Sequence, residues 1–273
     1  MNTLIIHRHW LRLATRGIVL AATIVAPAWA QDEPQKADDG MVTLNAGAAI
    51  TPAAQAVLDR MTATLSSHKR YAVTAHITRD EVLPFGYKLQ HNEIARMRVD
   101  SPSGLRLDVE GDIKNRTYVY DGSQLTTFAP DLNVYATTPA PNTLGELVLA
   151  LLDAEVEMPL IDMLYQGNAG SLTEDVRVGI VVGDSQVDGV ATDHLAFRQP
   201  DVDWQLWVEK GAQALPRKLL ITTRYELGDP QYQAILMWDM KPAIDANSFV
   251  FVPPAGASKI EARTKLVADG GGK

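Results

Sequence analysis

Arg70-Tyr71-Ala72-Val73-Thr74-Ala75-His76-Ile77-Thr78 alternates apolar and polar side chains with a period of two, as a strand does when it turns one face to a core. The alternation continues downstream. Leu89 to Val99 is a second strand candidate, and Leu105, Leu107 and Val109 alternate with Arg106, Asp108 and Glu110. Ser101-Pro102-Ser103-Gly104 is turn chemistry between these two runs, and Asp121-Gly122 is a hairpin signal after Thr117 to Tyr120. Parallel strands would need a helix between each pair, and no helical pattern lies there. The stretch reads as an antiparallel meander.

Upstream, Thr51-Pro52 has the form of an N-cap followed by the first residue of a helix. Val57, Leu58, Met61 and Leu65 then give one apolar stripe at helical spacing, to about Ser67. Downstream the meander breaks once. Pro139, Pro141 and Asn142 precede Thr143-Leu144-Gly145-Glu146, a capping box opening an apolar helix over Leu147 to Leu152. Pro159 starts a second short helix, Leu160 to Tyr165, ended by Gly167 and Gly170. This pair holds few charges (Asp153, Glu155, Glu157, Asp162) and must lie over an apolar surface.

Strands resume at Val176, Val178, Ile180 and Val182, turn at Asp188-Gly189 and continue through Thr192 to Arg198. Asp203 to Glu209, Arg217 to Glu226, Tyr232 to Met240 and Phe249 to Val252 complete about ten strands. Tyr232, Leu236 and Trp238, with Ile235 and Met237, make one strand apolar on both faces, which predicts cover on both sides. With no repeat or linker to divide it, residues 49–262 read as one α+β domain, followed by a flexible tail at 263–273.

Residues 1–30 carry Arg8, Arg12 and Arg16, an apolar run from Gly17 to Ala26, and Ala28-Trp29-Ala30. That is a secretory signal peptide with cleavage after Ala30; its apolar run, about ten residues, is too short for a membrane span, which needs roughly 20. Residues 31–48 are polar and irregular, a disordered leader. No later segment is long and apolar enough to span a membrane, so the mature chain is expected to be soluble and periplasmic. Removing the three signal arginines makes the mature chain three charges more acidic than the −8 of the whole. That balance argues against a nucleic-acid partner. The absence of cysteine from the 273 residues excludes disulfides, thiolate metal sites, cysteine nucleophiles and a lipidated N-terminal cysteine.

Motifs for chemistry are sparse. No Gly-x-Ser-x-Gly, no His-Glu-x-x-His and no Gly-rich phosphate loop occurs, so neither a cofactor nor a metal is expected. His76 and His194 fall on the polar parity of their strands and read as surface. His91 and Glu93 share parity with Leu89, Ala95, Met97 and Val99. They either project a polar pair inward or mark a β-bulge or rim, and the bulge or rim is expected, because buried charges are uncommon unless paired. Lys88, Arg96, Arg98, Arg106, Lys114 and Arg116 form a basic stretch, interleaved with Asp100, Asp108, Glu110 and Asp112, and read as a solvated strand face. Tyr118, Tyr120, Trp204 and Trp207 could stack on a ligand, although aromatics on strands are commonly core. Trp204, Leu206 and Val208 share one face; Trp207 is on the other, suited to a rim or a cover.

Asp193-His194-Leu195-Ala196-Phe197-Arg198-Gln199, Asp203-Trp204-Gln205-Leu206-Trp207 and Leu215-Pro216-Arg217-Lys218 resemble a family of exported bacterial proteins of unknown function, over most of residues 51–262. Phe249-Val250-Phe251-Val252-Pro253-Pro254, with Gly256-Ala257, is similar to the closing strand of LolA-like periplasmic lipoprotein carriers. This remote resemblance implies an incomplete antiparallel β-barrel around the N-terminal helix, with the short helices as a lid over a hydrophobic cavity. It brings no catalytic residues and no lipid-contacting positions. Lid and cavity candidates are Leu147, Leu151, Leu160, Met163, Leu164, Tyr118, Tyr120, Trp204 and Trp207. The expected function is a monomeric carrier or binder whose partner is a lipid or an acylated protein. Two alternatives stay open: an envelope sensor or interaction module on the same fold, and a hydrolase around His91 and Glu93. A lid collapsed into a solid core would favour a structural or protein-binding role.

Overall fold

The computed structural model describes residues 49–168, 172–245 and 247–267; the signal peptide and leader lie outside them. Thr51 caps α1 (Pro52–Ser67), its hydroxyl accepting from the Ala54 amide at 3.4 Å. The first half of the sheet is β1 (Arg70–Val82), β2 (Lys88–Asp100), β3 (Gly104–Gly111), β4 (Arg116–Tyr120), β5 (Gln124–Ala129) and β6 (Val134–Pro139). Then come α2 (Leu144–Asp153) and α3 (Ile161–Asn168). The capping box forms as expected: Thr143 Oγ1 accepts from the Glu146 amide at 3.3 Å and donates to its carboxylate at 2.9 Å. The second half is β7 (Val178–Val187), β8 (Val190–Arg198), β9 (Val202–Glu209), β10 (Pro216–Thr223), β11 (Gln231–Asp239) and the two-residue β12 (Ser258–Lys259).

The described strands form one sheet in the order β12-β6-β5-β4-β3-β2-β1-β11-β10-β9-β8-β7. Every neighbouring pair is antiparallel except β12 with β6. Its two end strands do not meet, so this is an open, curved α+β sheet and not a closed barrel. The period-two residues of β1 (Tyr71, Val73, Ala75, Ile77) point inward and join one buried cluster with Val57, Leu58 and Met61 of α1 and the apolar faces of α2 and α3. The outer face is polar, with Arg96–Glu110 at 2.9 Å and Arg106–Asp108 at 2.9 Å taking up part of the basic stretch.

Several expectations change. Phe249 to Val252 is not a strand. Val250 closes a turn onto Asn247, and Pro253-Pro254 offers no amide to a ladder. Phe251 packs between Phe128 and Tyr135, with centroids at 5.7 and 5.2 Å, and Ser258–Lys259 pairs with β6 instead. β5 and β6 escape an apolar-alternation reading because they are threonine-rich; Thr126 and Thr137 hydroxyls meet across them at 3.0 Å. The outer face of β11 is not covered, since Met237 is 42% exposed. No bulge interrupts β1–β2, whose register runs unbroken from Arg70↔Asp100 to Val82↔Lys88. Within the expected tail, Thr264 accepts from Thr138 Oγ1 at 3.2 Å and Leu266 is buried.

Two close approaches require glycine. A Cβ on Gly179 would lie 2.8 Å from Phe197 and 3.0 Å from Ile50, where the entry to α1 bridges to β7. At Gly104 a Cβ would meet the Phe249 ring at 2.7 Å. Gly104→Ala should therefore cost about 1–3 kcal/mol in denaturant unfolding, and adding Phe249→Ala should cancel part of that cost. Purely additive losses would show that the two residues do not compete for space.

Candidate functional site

α2 and α3 lie on the inner face of the sheet. Leu147, Leu151, Leu160, Met163 and Leu164 are each at most 3% exposed, within the same cluster as α1 and the strands. Side chains occupy the space beneath the two helices, so the expected hydrophobic cavity is filled, the packing that the sequence reading tied to a structural or protein-binding role. Trp204 faces the same interior, stacked on Phe197 at 3.9 Å. Beside it, among Asp162, Leu172, Gln199 and Leu219, is a void of about 10 Å³, room for one water at most and none for a hydrocarbon tail. Trp204 Nε1 and Gln199 Oε1 are buried there without a hydrogen-bond partner among the described residues. Trp207 lies on the opposite face, stacked on His194 at 4.2 Å with Lys218 Nζ 4.7 Å from its centroid; it covers the outside of the sheet and lines no interior.

Tyr118 and Tyr120 project into the cluster from β4, and their hydroxyls reach the two ends of α2. Tyr120 donates to the Pro141 carbonyl at 2.6 Å, just before the helix, and Tyr118 to the Glu157 carbonyl at 3.4 Å, just after it. Burial pushes both phenols up to about 12, so both remain donors throughout the neutral range. Further polar ties fasten α3: Gln166 Nε2 donates to Thr62 of α1 at 2.7 Å, and Tyr165 to Glu174 at 2.8 Å.

The linker between α2 and α3 is held by a chain of ion pairs. Glu155 and Leu160 both have left-handed backbone, φ 55 and 64. Between them Glu157 accepts from Arg79 Nη1 at 2.8 Å through one oxygen and from Lys114 Nζ at 2.8 Å through the other. Arg79 also pairs with Glu93 at 3.1 Å, with both side chains at most 10% exposed. Glu93 thus does project inward, as half of an ion pair, while His91 sits nearer the rim, 2.8 Å from Glu81. The two residues of the alternative hydrolase reading, His91 and Glu93, thus have separate partners.

Around this network are two recesses that share Arg79, Asp80 and Lys114. One, of about 60 Å³, reaches under the linker to Met158, Leu160 and Tyr232. The other, of about 300 Å³, extends outward past His91 and Ile113. Burial, then the carboxylates of Asp162 and Glu93, raises the Tyr232 phenol, and burial raises the Glu226 carboxyl at the same cleft. Arg79 escaped the sequence reading, but a signal exists: Arg79 on β1 and Glu93 on β2 are opposite charges at inward parity on paired strands.

Residues 54–262 match the family described as "Predicted periplasmic protein (DUF2092)", and the chain belongs to it. The protein is periplasmic. No curated protein matches the sequence significantly. Among solved structures, the chain is similar to LprF from Mycobacterium bovis (14% identity, 74% of this chain and 99% of that one, TM-score 0.45). It is also similar to the lipoprotein LppX of Mycobacterium tuberculosis (12%, 71% and 99%, 0.44). A third is a LolA superfamily protein of Nitrosomonas europaea (11%, 72% and 97%, 0.31).

Removing one partner of a buried pair leaves the other charge uncompensated, which costs more than the pair contributes. Arg79→Met should lower unfolding stability by about 3 kcal/mol, and Arg79→Met with Glu93→Met by less than Arg79→Met alone. A double variant weaker than the single one would remove Glu93 from the network.

Proposed function

We propose that the protein binds or carries a lipid, or the acyl chains of a lipidated protein, on the inner face of its sheet beneath α2 and α3. One observation carries this reading. The buried side chains of α2 are wholly apolar and those of α3 mostly so, apart from Asp162 and Gln166, while the directional bonds of α2 to the rest of the protein lie at its ends and in the linker. Apolar contact is non-directional, so an acyl chain can substitute for a helix face that the end ties release.

The magnitudes limit how far the lid moves. The five buried side chains of α2 are worth about 8–15 kcal/mol at 1.5–3 kcal/mol each, and a 16-carbon chain offers roughly 12 kcal/mol at 0.8 kcal/mol per methylene. One chain therefore balances the exposure of about one helix, not of both. Methionine at 158 and 163 suits a lining that repacks around chains of varied shape.

Delipidated protein titrated with cis-parinaric acid should show saturable fluorescence enhancement, and organic extracts of protein purified from its native periplasm should contain a lipid by mass spectrometry. No saturable binding, together with a stable protein complex free of lipid, would instead favour an interaction module of the envelope.

A further inference from the structure

Glu157 is held as a ligand would be. Its carboxylate sits on the lid linker and is clasped one oxygen to each cation by Arg79 of β1 and Lys114 of the β3–β4 loop, both outside the lid. Arg79 and Lys114 line both the recess beneath the linker and the outer recess, so both cations border the space under the linker. If the linker lifts, Glu157 leaves with it. Arg79 then keeps its ion pair with Glu93, and Lys114 loses a 2.8 Å partner.

We infer that Glu157 is an internal stand-in for the carboxylate of the ligand, and that Arg79 and Lys114 form the headgroup site for a free fatty acid. This deepens the lipid-binding reading and rests on it. A carboxylate entering as Glu157 departs keeps the local charge unchanged, so the exchange leaves no uncompensated cation in a half-buried site. The acyl chain then runs inward past Tyr232 and Thr223, which line the same recess from the sheet, to the face released by the lid. An uncharged ester, or the amide of an acylated protein, offers the two cations a carbonyl acceptor but no negative charge. The site therefore selects the acid.

The test compares cis-parinaric acid with its methyl ester, using wild-type protein and the Lys114→Gln, Lys114→Arg and Glu157→Gln variants, each checked for wild-type circular dichroism. Lys114 is partly exposed, and its substitution leaves the Arg79–Glu93 pair intact. Lys114→Gln should weaken the acid about tenfold and leave the ester unchanged or tighter, since the same substitution loosens the linker. Lys114→Arg should restore the acid, and Glu157→Gln should tighten it by removing the competitor. If Lys114→Gln shifts acid and ester alike, the headgroup site is refuted and Glu157 is only a fastening of the lid. If neither probe binds any form of the protein, lipid binding itself fails.

Discussion

An open sheet of this width has one apolar face too large for a single helix to cover. The inward side chains of β1 to β3 and of β8 to β11 form a continuous surface, and α1 shields only part of it. Burial of such surface is worth about 25 cal/mol per Å², so whatever segment of chain can lie on it will do so. α2 and α3 are that segment. Their composition suits them to cover it, with leucine, methionine and valine on the buried side and charges confined to the ends and the linker.

That arrangement separates adhesion from position. The apolar face supplies attraction without direction, and the polar ties decide where the helices stop. Tyr120 holds Pro141, Gln166 holds α3, and Tyr118 and the Arg79–Lys114 clasp both hold Glu157, through its carbonyl and its carboxylate. A net hydrogen bond contributes about 1 kcal/mol, small against the apolar contact it directs. At the sheet's edge the logic is opposite. Phe251 and β12 close over β6 by close packing and backbone pairing, which shields an edge that would otherwise pair with other chains, while Phe249 packs on Gly104 of β3.

The sequence made the architecture legible wherever one period dominated. Alternation over Tyr71 to Thr78 and over Leu105 to Glu110, the stripe of α1, the capping box at Thr143 and the hairpin turns at Asp121-Gly122 and Asp188-Gly189 all stand where expected. β5 and β6 were hidden because threonine serves both faces of a strand, so polarity does not alternate. The Phe249–Val252 run misled in the other direction: its apolar residues pack as loop side chains against Gly104 and Phe128. In the site, the burial of α2 and α3 was readable from an apolar segment with few charges. The ion-pair network was not, because Arg79, Lys114 and Glu157 come from three distant parts of the chain and meet only through strand register. Only the inward parity of Glu93 pointed there.

Native-state hydrogen exchange is the most direct measurement of the central claim, that α2 and α3 are a separable cover and not part of the sheet's cooperative core. Amides of residues 144–168 should exchange through an opening several kcal/mol below global unfolding, while those of β1, β2 and β11 exchange only on global unfolding. Protection of α2 and α3 equal to that of the central strands would contradict it.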